Sequence, residues 1–65
     1  MQISINGTVH DVKATNLDEL LSECGYTTDR LATAVNETFV PRAQRSTTEL
    51  TANDRVEILA PMQGG

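Results

Sequence analysis

The chain opens with apolar residues on both sides of an Asn-Gly pair, Asn6-Gly7. This pair tolerates positive φ at both central positions of a tight turn and is typical of a two-residue β-hairpin. We therefore predict strands at residues 2–6 and 8–13. The apolar residues of these strands are Ile3, Ile5, Val9 and Val12. Because the last two are out of phase for one face, the second strand is expected to bulge or end near Asp11.

The next segment repeats apolar residues at helical spacing. The stripe at i, i+3, i+4 and i+7 consists of Leu17, Leu20, Leu21 and Cys24. Asn16 can accept hydrogen bonds from the first free amides, and Gly25 can end the helix in a left-handed conformation. The pattern predicts a two-turn amphipathic helix. Because Cys24 lies on the stripe, we expect it to be a small buried hydrophobe rather than a nucleophile.

Further strand signals follow in the second half of the chain. Residues 31–36 predict a strand and residues 39–40 a short one, which Pro41 ends because it cannot donate to a ladder. Residues 46–50 predict a turn or a single helical turn that Leu50 anchors in the core.

The last strand is predicted at residues 55–60, after the turn Ala52-Asn53-Asp54. Alternation directs two of its residues inward and two outward. The inward pair is Val56 and Ile58, and the outward pair is Glu57 and Leu59.

The order of elements is therefore hairpin, helix, strand, short strand, strand. One helix laid across a small mixed sheet buries the single apolar stripe economically. If the first and last strands are central neighbours, they run parallel and the helix supplies the crossover. We predict an α+β fold of the β-grasp, or ubiquitin-like, class, with a domain at 1–60 and a flexible tail at 61–65.

Length and charge narrow the classes of function. A chain of 65 residues buries only about 60% of its unfolded surface, which favours a carrier, binding module or small subunit over an autonomous enzyme. The net charge is −4 with scattered cations, which argues against nucleic-acid binding. No apolar run approaches the ~20 residues of a membrane span, and no secretory signal is evident. A single cysteine excludes an intramolecular disulfide. We expect a cytoplasmic protein that binds neither nucleic acid nor membrane.

The titratable side chains form no catalytic set. His10 stands alone on a strand and is expected at the surface. Glu19 and Glu23 are four residues apart on the polar helix face, where we expect solvation rather than a carboxylate pair. The sequence therefore predicts no catalytic residue, metal or bound cofactor of its own.

The chain finishes with Pro61-Met62-Gln63-Gly64-Gly65. Five extended residues reach roughly 17 Å, and glycine fits channels too narrow for a side chain. A carboxylate is a poor electrophile, so it must first be activated, most simply as an acyl-adenylate made from ATP. A persulfide sulfur can then displace AMP and yield a thiocarboxylate. We expect Gly65 to be modified in this way, while Gly64, Gln63 and Met62 thread into a partner; an arbitrary Gly-Gly end is the alternative.

Leu59 points outward beside this tail. It forms either an apolar docking surface with Met62 and Phe39 or an isolated exposed leucine of the common kind. Arg42 is either a solvated surface residue or forms an ion pair with an acidic partner protein. The candidate partner surface is therefore Leu59, Phe39 and Arg42.

Five segments together form a specific combination. They are Met1-Gln2-Ile3 with Asn6, Leu20-Leu21, Ala34-Val35-Asn36, Val40-Pro41-Arg42 and Gly64-Gly65. In this combination the chain resembles the ThiS family, the sulfur carriers of thiamine (thiazole) biosynthesis, over essentially its whole length. Two positions depart from the family pattern: Arg45 stands where an aromatic residue is frequent, and Ala52-Asn53-Asp54 replaces the common Asp-Gly-Asp.

The resemblance implies a set of partners and no bound cofactor. A ThiF-like adenylyltransferase would use ATP to adenylate Gly65, and a cysteine desulfurase or other persulfide would donate the sulfur. A ThiG-like thiazole synthase would then receive the sulfur. The alternatives are a MoaD-like small subunit of molybdopterin synthase, another ubiquitin-like sulfur carrier or modifier, and a plain binding module whose tail is inert.

Overall fold

The computed structural model describes residues 1–27 and 30–60 of the chain. Within these residues, five strands form one sheet, with one α-helix and one 3₁₀ helix. The strands are β1 (Gln2–Ile5), β2 (Thr8–Asp11), β3 (Ala32–Val35), β4 (Thr38–Val40) and β5 (Arg55–Leu59). The α-helix, α1, spans Leu17–Glu23, and the 3₁₀ helix spans Arg42–Thr47. Neither helix has the length and apolar character that crossing a bilayer requires.

The strand order is β2-β1-β5-β3-β4, so the last strand in the chain is central in the sheet. β1 and β5 run parallel, while the other neighbouring pairs are antiparallel. The helix α1 follows β2 and precedes β3, so it lies within the connection that joins the parallel strands β1 and β5. This topology confirms the predicted β-grasp fold.

One face of the sheet and one face of α1 enclose the core. Its buried apolar residues are Ile3, Ile5, Val12, Ala14, Leu17, Leu20, Leu21, Val40, Leu50, Val56 and Ile58. The three helix leucines of the predicted stripe are all in this cluster, as are the two inward residues of β5. The periodicity of the sequence therefore identified the faces that pack together.

The first hairpin turns at the predicted pair, with φ of 50° at Asn6 and 86° at Gly7. β2 ends at Asp11, so the predicted strand was two residues too long and the expected early end is confirmed. Val12 is buried beyond the strand end, and its amide donates to the carbonyl of Met1 over 2.8 Å. The amino group of Met1 also donates to the carbonyl of Val12 over 2.9 Å, so pairing continues one residue beyond β2 and places Val12 on the same inward face as Ile3.

Both ends of α1 are capped as the sequence indicates. The amide of Glu19 donates to Asn16 Oδ1 over 2.7 Å. At the other end Gly25 has a φ of 87°, and its amide donates to the carbonyl of Ser22. The following amide, of Tyr26, donates to the carbonyl of Leu21, which completes a Schellman cap.

The prediction that Cys24 is buried is wrong, because this residue is exposed. The helix ends at Glu23, and the Schellman cap turns the chain so that Tyr26 packs against the core instead. Partial desolvation and the adjacent Glu23 carboxylate raise the pKa of the Cys24 thiol. The thiol is therefore mainly protonated at neutral pH and is a poor nucleophile.

The exposed carboxylates of α1 organise the segment before the helix. Glu19 accepts the amide and hydroxyl of Thr15, and Glu23 accepts the amides of Lys13 and Ala14 over 2.8–3.0 Å. Both were expected to be merely solvated, and the structure instead gives each a role in satisfying backbone donors. His10 is exposed, as predicted.

The helical turn predicted at 46–50 lies earlier, at Arg42–Thr47. Pro41 precedes it in an extended conformation, and its fixed φ suits the position before a helical turn. The hydroxyls of Thr47 and Thr48 both donate to the carbonyl of Gln44, which occupies that acceptor at the helix end. Leu50 is buried, as predicted.

The start of β5 is held by Asn36, which lies in the β3–β4 turn with a φ of 50°. Its Oδ1 accepts the amide of Arg55 over 2.9 Å, and its Nδ2 donates to Asp54 Oδ1 over 3.0 Å. Its own amide donates to the carbonyl of Arg55 over 2.7 Å. We call these three hydrogen bonds the Asn36 clamp.

Asp54 is buried within this arrangement. Burial by itself raises the pKa of the carboxyl, but hydrogen bonds from the Thr51 amide, Asn36 and the Thr51 hydroxyl outweigh it, so the pKa lies below the ordinary value. The predicted turn at this point is confirmed, with a φ of 73° at Asn53. The ionised carboxylate therefore joins the turn to the Asn36 clamp.

Truncating a buried leucine should cost far more than truncating an exposed one. Leu20 is fully buried, so Leu20→Ala is expected to lose about 2–5 kcal/mol, which is comparable with the whole stability of roughly 3–5 kcal/mol for a domain of this size. The exposed Leu59→Ala should lose less than about 0.5 kcal/mol. Urea unfolding followed by far-UV circular dichroism measures both, and equal losses would contradict the assigned core.

Acid should weaken the fold through Asp54. Its folded pKa lies below the value of about 3.9 for an unfolded aspartate, so the unfolded state binds more protons between the two values. The stabilisation is present above about pH 4 and is lost as the pH falls through the folded pKa. The difference in unfolding free energy between the natural chain and Asp54→Asn should therefore shrink below about pH 4. A difference that stays constant during acid titration would refute this role.

Candidate functional site

β5 leads directly towards the C-terminal segment that was predicted to carry the chemistry. Val56 and Ile58 are buried on this strand, while Glu57 and Leu59 are exposed, as alternation predicted. The structure describes the chain as far as Ala60. The predicted site residues Met62, Gln63, Gly64 and Gly65 lie outside the described residues, and their roles stay predictions.

The end of β5 is held by the side chain of Asn6. Its Oδ1 accepts the amide of Ile58 over 2.8 Å, and its Nδ2 donates to the carbonyl of the same residue over 3.0 Å. We call this pair of hydrogen bonds the Asn6 clamp. A primary amide offers one acceptor and one donor on the same face, which matches the adjacent N–H and C=O of a strand residue.

Two of the three predicted surface residues come together on the outer face of the sheet. The register pairs Ala34 with Phe39 on one side and with Glu57 on the other, and it pairs Ala32 with Leu59. Phe39 and Leu59 are 66% and 65% exposed. The small alanines between them leave a shallow groove of about 130 Å³. Its lining residues are Ala32, Thr33, Ala34, Phe39, Glu57 and Leu59.

This outer groove is mostly apolar with one negative charge, that of Glu57. Farther along the same face, Arg55 pairs with Glu37 over 3.6 Å. Val9 is equally exposed on this face, but it pairs with Ser4 on the far side of β5. A partner that fits the groove therefore needs an apolar contact surface, and a basic group on it would complement Glu57.

The third predicted surface residue, Arg42, is exposed at the start of the 3₁₀ helix. It is not among the residues that line the outer groove. The structure therefore joins Phe39 and Leu59 in one surface and leaves Arg42 next to it in sequence but outside that surface.

The burial of Arg45, which is 4% exposed, was not predicted from the sequence. Its Nε donates to Thr33 Oγ1 over 3.2 Å, and its Nη2 donates to the carbonyl of Leu31. Thr33 in turn donates to the carbonyl of Val40 over 2.9 Å. These bonds attach the 3₁₀ helix to β3 behind the outer groove. Arg45 occupies a position that is often aromatic in the resembled family. That departure was the one feature of the sequence that indicated burial at this position.

The two asparagine clamps were also missed. Asn6 was predicted as a turn residue, whereas Asn36 was placed at the end of a strand at 31–36. That strand ends at Val35 and Asn36 lies in the turn. The contacts of both amides with β5 depend on the tertiary fold. Among the described residues, no group of three or more His, Cys, Asp or Glu side chains could hold a metal ion. In the part of the chain that the structure describes, the candidate site therefore consists of a secured strand end and an exposed, mostly apolar groove.

Comparisons with known proteins agree with this architecture. The ThiS family matches residues 3–65. A crystal structure of the thiamine biosynthesis protein ThiS from Geobacter metallireducens is 28% identical, with a TM-score of 0.83 and full coverage of both chains.

A solution NMR structure of a thiamine biosynthesis protein from the same organism has the same identity and TM-score, covering 100% of this chain and 88% of the other. No curated protein sequence matches the chain. Because the family match extends over residues 3–65 of a 65-residue chain, the chain belongs to the ThiS family.

Proposed function

We propose that this chain is a sulfur carrier of thiamine biosynthesis and that the carboxylate of Gly65 carries the sulfur as a thiocarboxylate. The observation that carries the proposal is the family match through residue 65, which includes the Gly64-Gly65 pair. The geometry supports it, because the strand that precedes this pair is held at the centre of the sheet. Small ThiS-type proteins are carriers rather than enzymes, so the chemistry belongs to partners.

The proposed chemistry takes place in three steps at the carboxylate of Gly65. A ThiF-like adenylyltransferase joins this carboxylate to AMP from ATP and releases pyrophosphate. The terminal sulfur of a persulfide, such as one formed on a cysteine desulfurase, then attacks the acyl carbon, and AMP leaves. A thiol reductant cleaves the resulting acyl disulfide and leaves the thiocarboxylate. A ThiG-like thiazole synthase receives that sulfur for the thiazole ring.

In this chemistry the folded domain holds the C-terminal tail and presents it to the partner enzymes. Gly64 and Gly65 lack Cβ atoms and suit a narrow channel, while the exposed groove beside Leu59 offers a surface on which the partner can rest. Binding at the groove and threading of the tail then act together, because the first contact raises the effective concentration of the second.

A MoaD-like small subunit of molybdopterin synthase would use the same tail chemistry. The family match favours the thiazole branch over this alternative. Co-purification separates them: the thiazole function requires association with a ThiG-like protein, and the alternative requires the large subunit of molybdopterin synthase.

Thiocarboxylate formation is directly measurable by mass spectrometry. Incubation with the ThiF-like adenylyltransferase, ATP, a persulfide donor and a thiol reductant should raise the intact mass by the replacement of one oxygen with sulfur. A chain that lacks Gly65 should be unchanged, because its end no longer reaches the activating site in the same register. An unchanged mass for the natural chain with an active adenylyltransferase would refute the proposal.

Truncation at the outer groove should weaken association without altering the tail. Phe39→Ala and Leu59→Ala are each expected to raise the KM for the carrier by about tenfold in the adenylation reaction, the loss typical of an apolar anchor at an interface. Val9→Ala is the matched control, because Val9 is equally exposed on the same face but outside the groove. Pyrophosphate release measures all three, and an equal effect of the control would exclude the groove as the docking surface.

A further inference from the structure

We propose that Asn6 is a positioning residue that fixes the point at which the C-terminal tail leaves the sheet. The role rests on the proposed function, because it concerns delivery of Gly65 to the adenylyltransferase. Its observable basis is the Asn6 clamp, two hydrogen bonds of 2.8 and 3.0 Å to the backbone of Ile58. Ile58 lies two residues before Ala60, where the described chain ends.

The Asn6 clamp replaces a rung of the parallel ladder. The amide of Ser4 donates to the carbonyl of Asp54, and the amide of Asn6 donates to the carbonyl of Val56, each over 2.9 Å. The next β5 residue on this edge is Ile58. The backbone of β1 cannot reach it, because the chain turns away at Asn6 with a φ of 50°. The side-chain amide supplies the acceptor and the donor in its place.

On its opposite edge, β5 is paired with β3 as far as Leu59, which is farther along the strand than its backbone pairing with β1. Thr33 is in register with Ile58, and Ala32 is in register with Leu59. Together with the Asn6 clamp, this pairing holds β5 on both edges at Ile58. Without the clamp, the last attachment of this strand to β1 would be the backbone bond from Asn6 to the carbonyl of Val56, and the final residues of β5 would depend on β3 alone.

The position of this attachment matters for a tail that must enter another protein. A partner resting on the outer groove contacts Leu59, so the root of the tail and the docking surface share one strand. Ordering each additional backbone residue reduces the population of the productive state by on the order of tenfold. A fixed root therefore favours insertion of the tail once the partner has docked.

If Asn6 positions the tail, its loss should lower kcat for adenylation and leave KM nearly unchanged. Asn6→Gly keeps the positive φ of the turn and removes the clamp, while every residue that lines the outer groove and its pairing with β3 are retained. We expect kcat for adenylation to fall by on the order of tenfold, with KM within about twofold of the natural chain, because docking precedes insertion and depends on the groove.

Asn36→Gly is the matched control. Asn36 also has a φ of 50°, and its side chain also bonds the backbone of β5, but at Arg55, at the other end of the strand. The substitution removes two side-chain hydrogen bonds, as Asn6→Gly does. A purely structural contribution of Asn6 would therefore affect both variants alike, whereas a positioning role lowers kcat only in Asn6→Gly.

The experiment measures pyrophosphate release with the ThiF-like adenylyltransferase, on samples shown to be folded by circular dichroism. Should Asn6→Gly not fold, Asn6→Asp replaces it, since this variant keeps the acceptor for the Ile58 amide and loses the donor to its carbonyl, and Asn36→Gly stays the control. A kcat loss confined to the Asn6 variant supports the role. Equal losses at the two positions, or no loss at either, overturn it. If the natural chain is not adenylated, both the proposed function and the role of Asn6 are overturned. If the natural chain is adenylated but the kcat loss is not confined to the Asn6 variant, only the role of Asn6 is overturned.

Discussion

The pairing of β5 on both of its edges is the constraint on which the rest of the structure depends. A domain of 65 residues has one core, and this strand places Val56 and Ile58 in it. The same strand runs parallel to β1 and antiparallel to β3, so it joins the first hairpin to the second. The segment that leads to the C-terminal glycines is therefore rooted in the centre of the sheet, where local opening requires the loss of two sets of strand contacts.

The two faces of β5 separate stability from recognition. Its inward residues belong to the same buried core as the leucines of α1, whereas Glu57 and Leu59 contribute to the outer groove. An exposed leucine adds little to the stability of the isolated domain, so its side chain is available for contact with a partner. This alternation explains how one five-residue strand contributes both to the core and to an exposed apolar groove.

The predictable parts of the structure were those specified by neighbouring residues. Turn preference identified Asn6-Gly7, helical spacing identified the leucine stripe, and alternation identified the two faces of β5. The exposure of Cys24 was not predictable from its spacing, because the Schellman cap redirects the chain after Glu23. The burial of Arg45 likewise depends on acceptors in β3 and immediately before it, at Thr33 and Leu31, which lie 12 and 14 residues away in sequence. Alternation predicted the outward direction of Leu59, and one of the two alternatives grouped it with Phe39; the strand register accounts for their proximity.

The two asparagine clamps show how short strands can secure a longer one. β1 has four residues and must turn at Asn6 for the hairpin to form, so its backbone cannot extend the ladder along five-residue β5. A longer β1 would require a later turn and a different register with β2. The amide of Asn6 adds the missing rung without moving the turn, and it does so at Ile58, next to the root of the tail. The residue that permits the tight turn thus also determines how far the central strand is held.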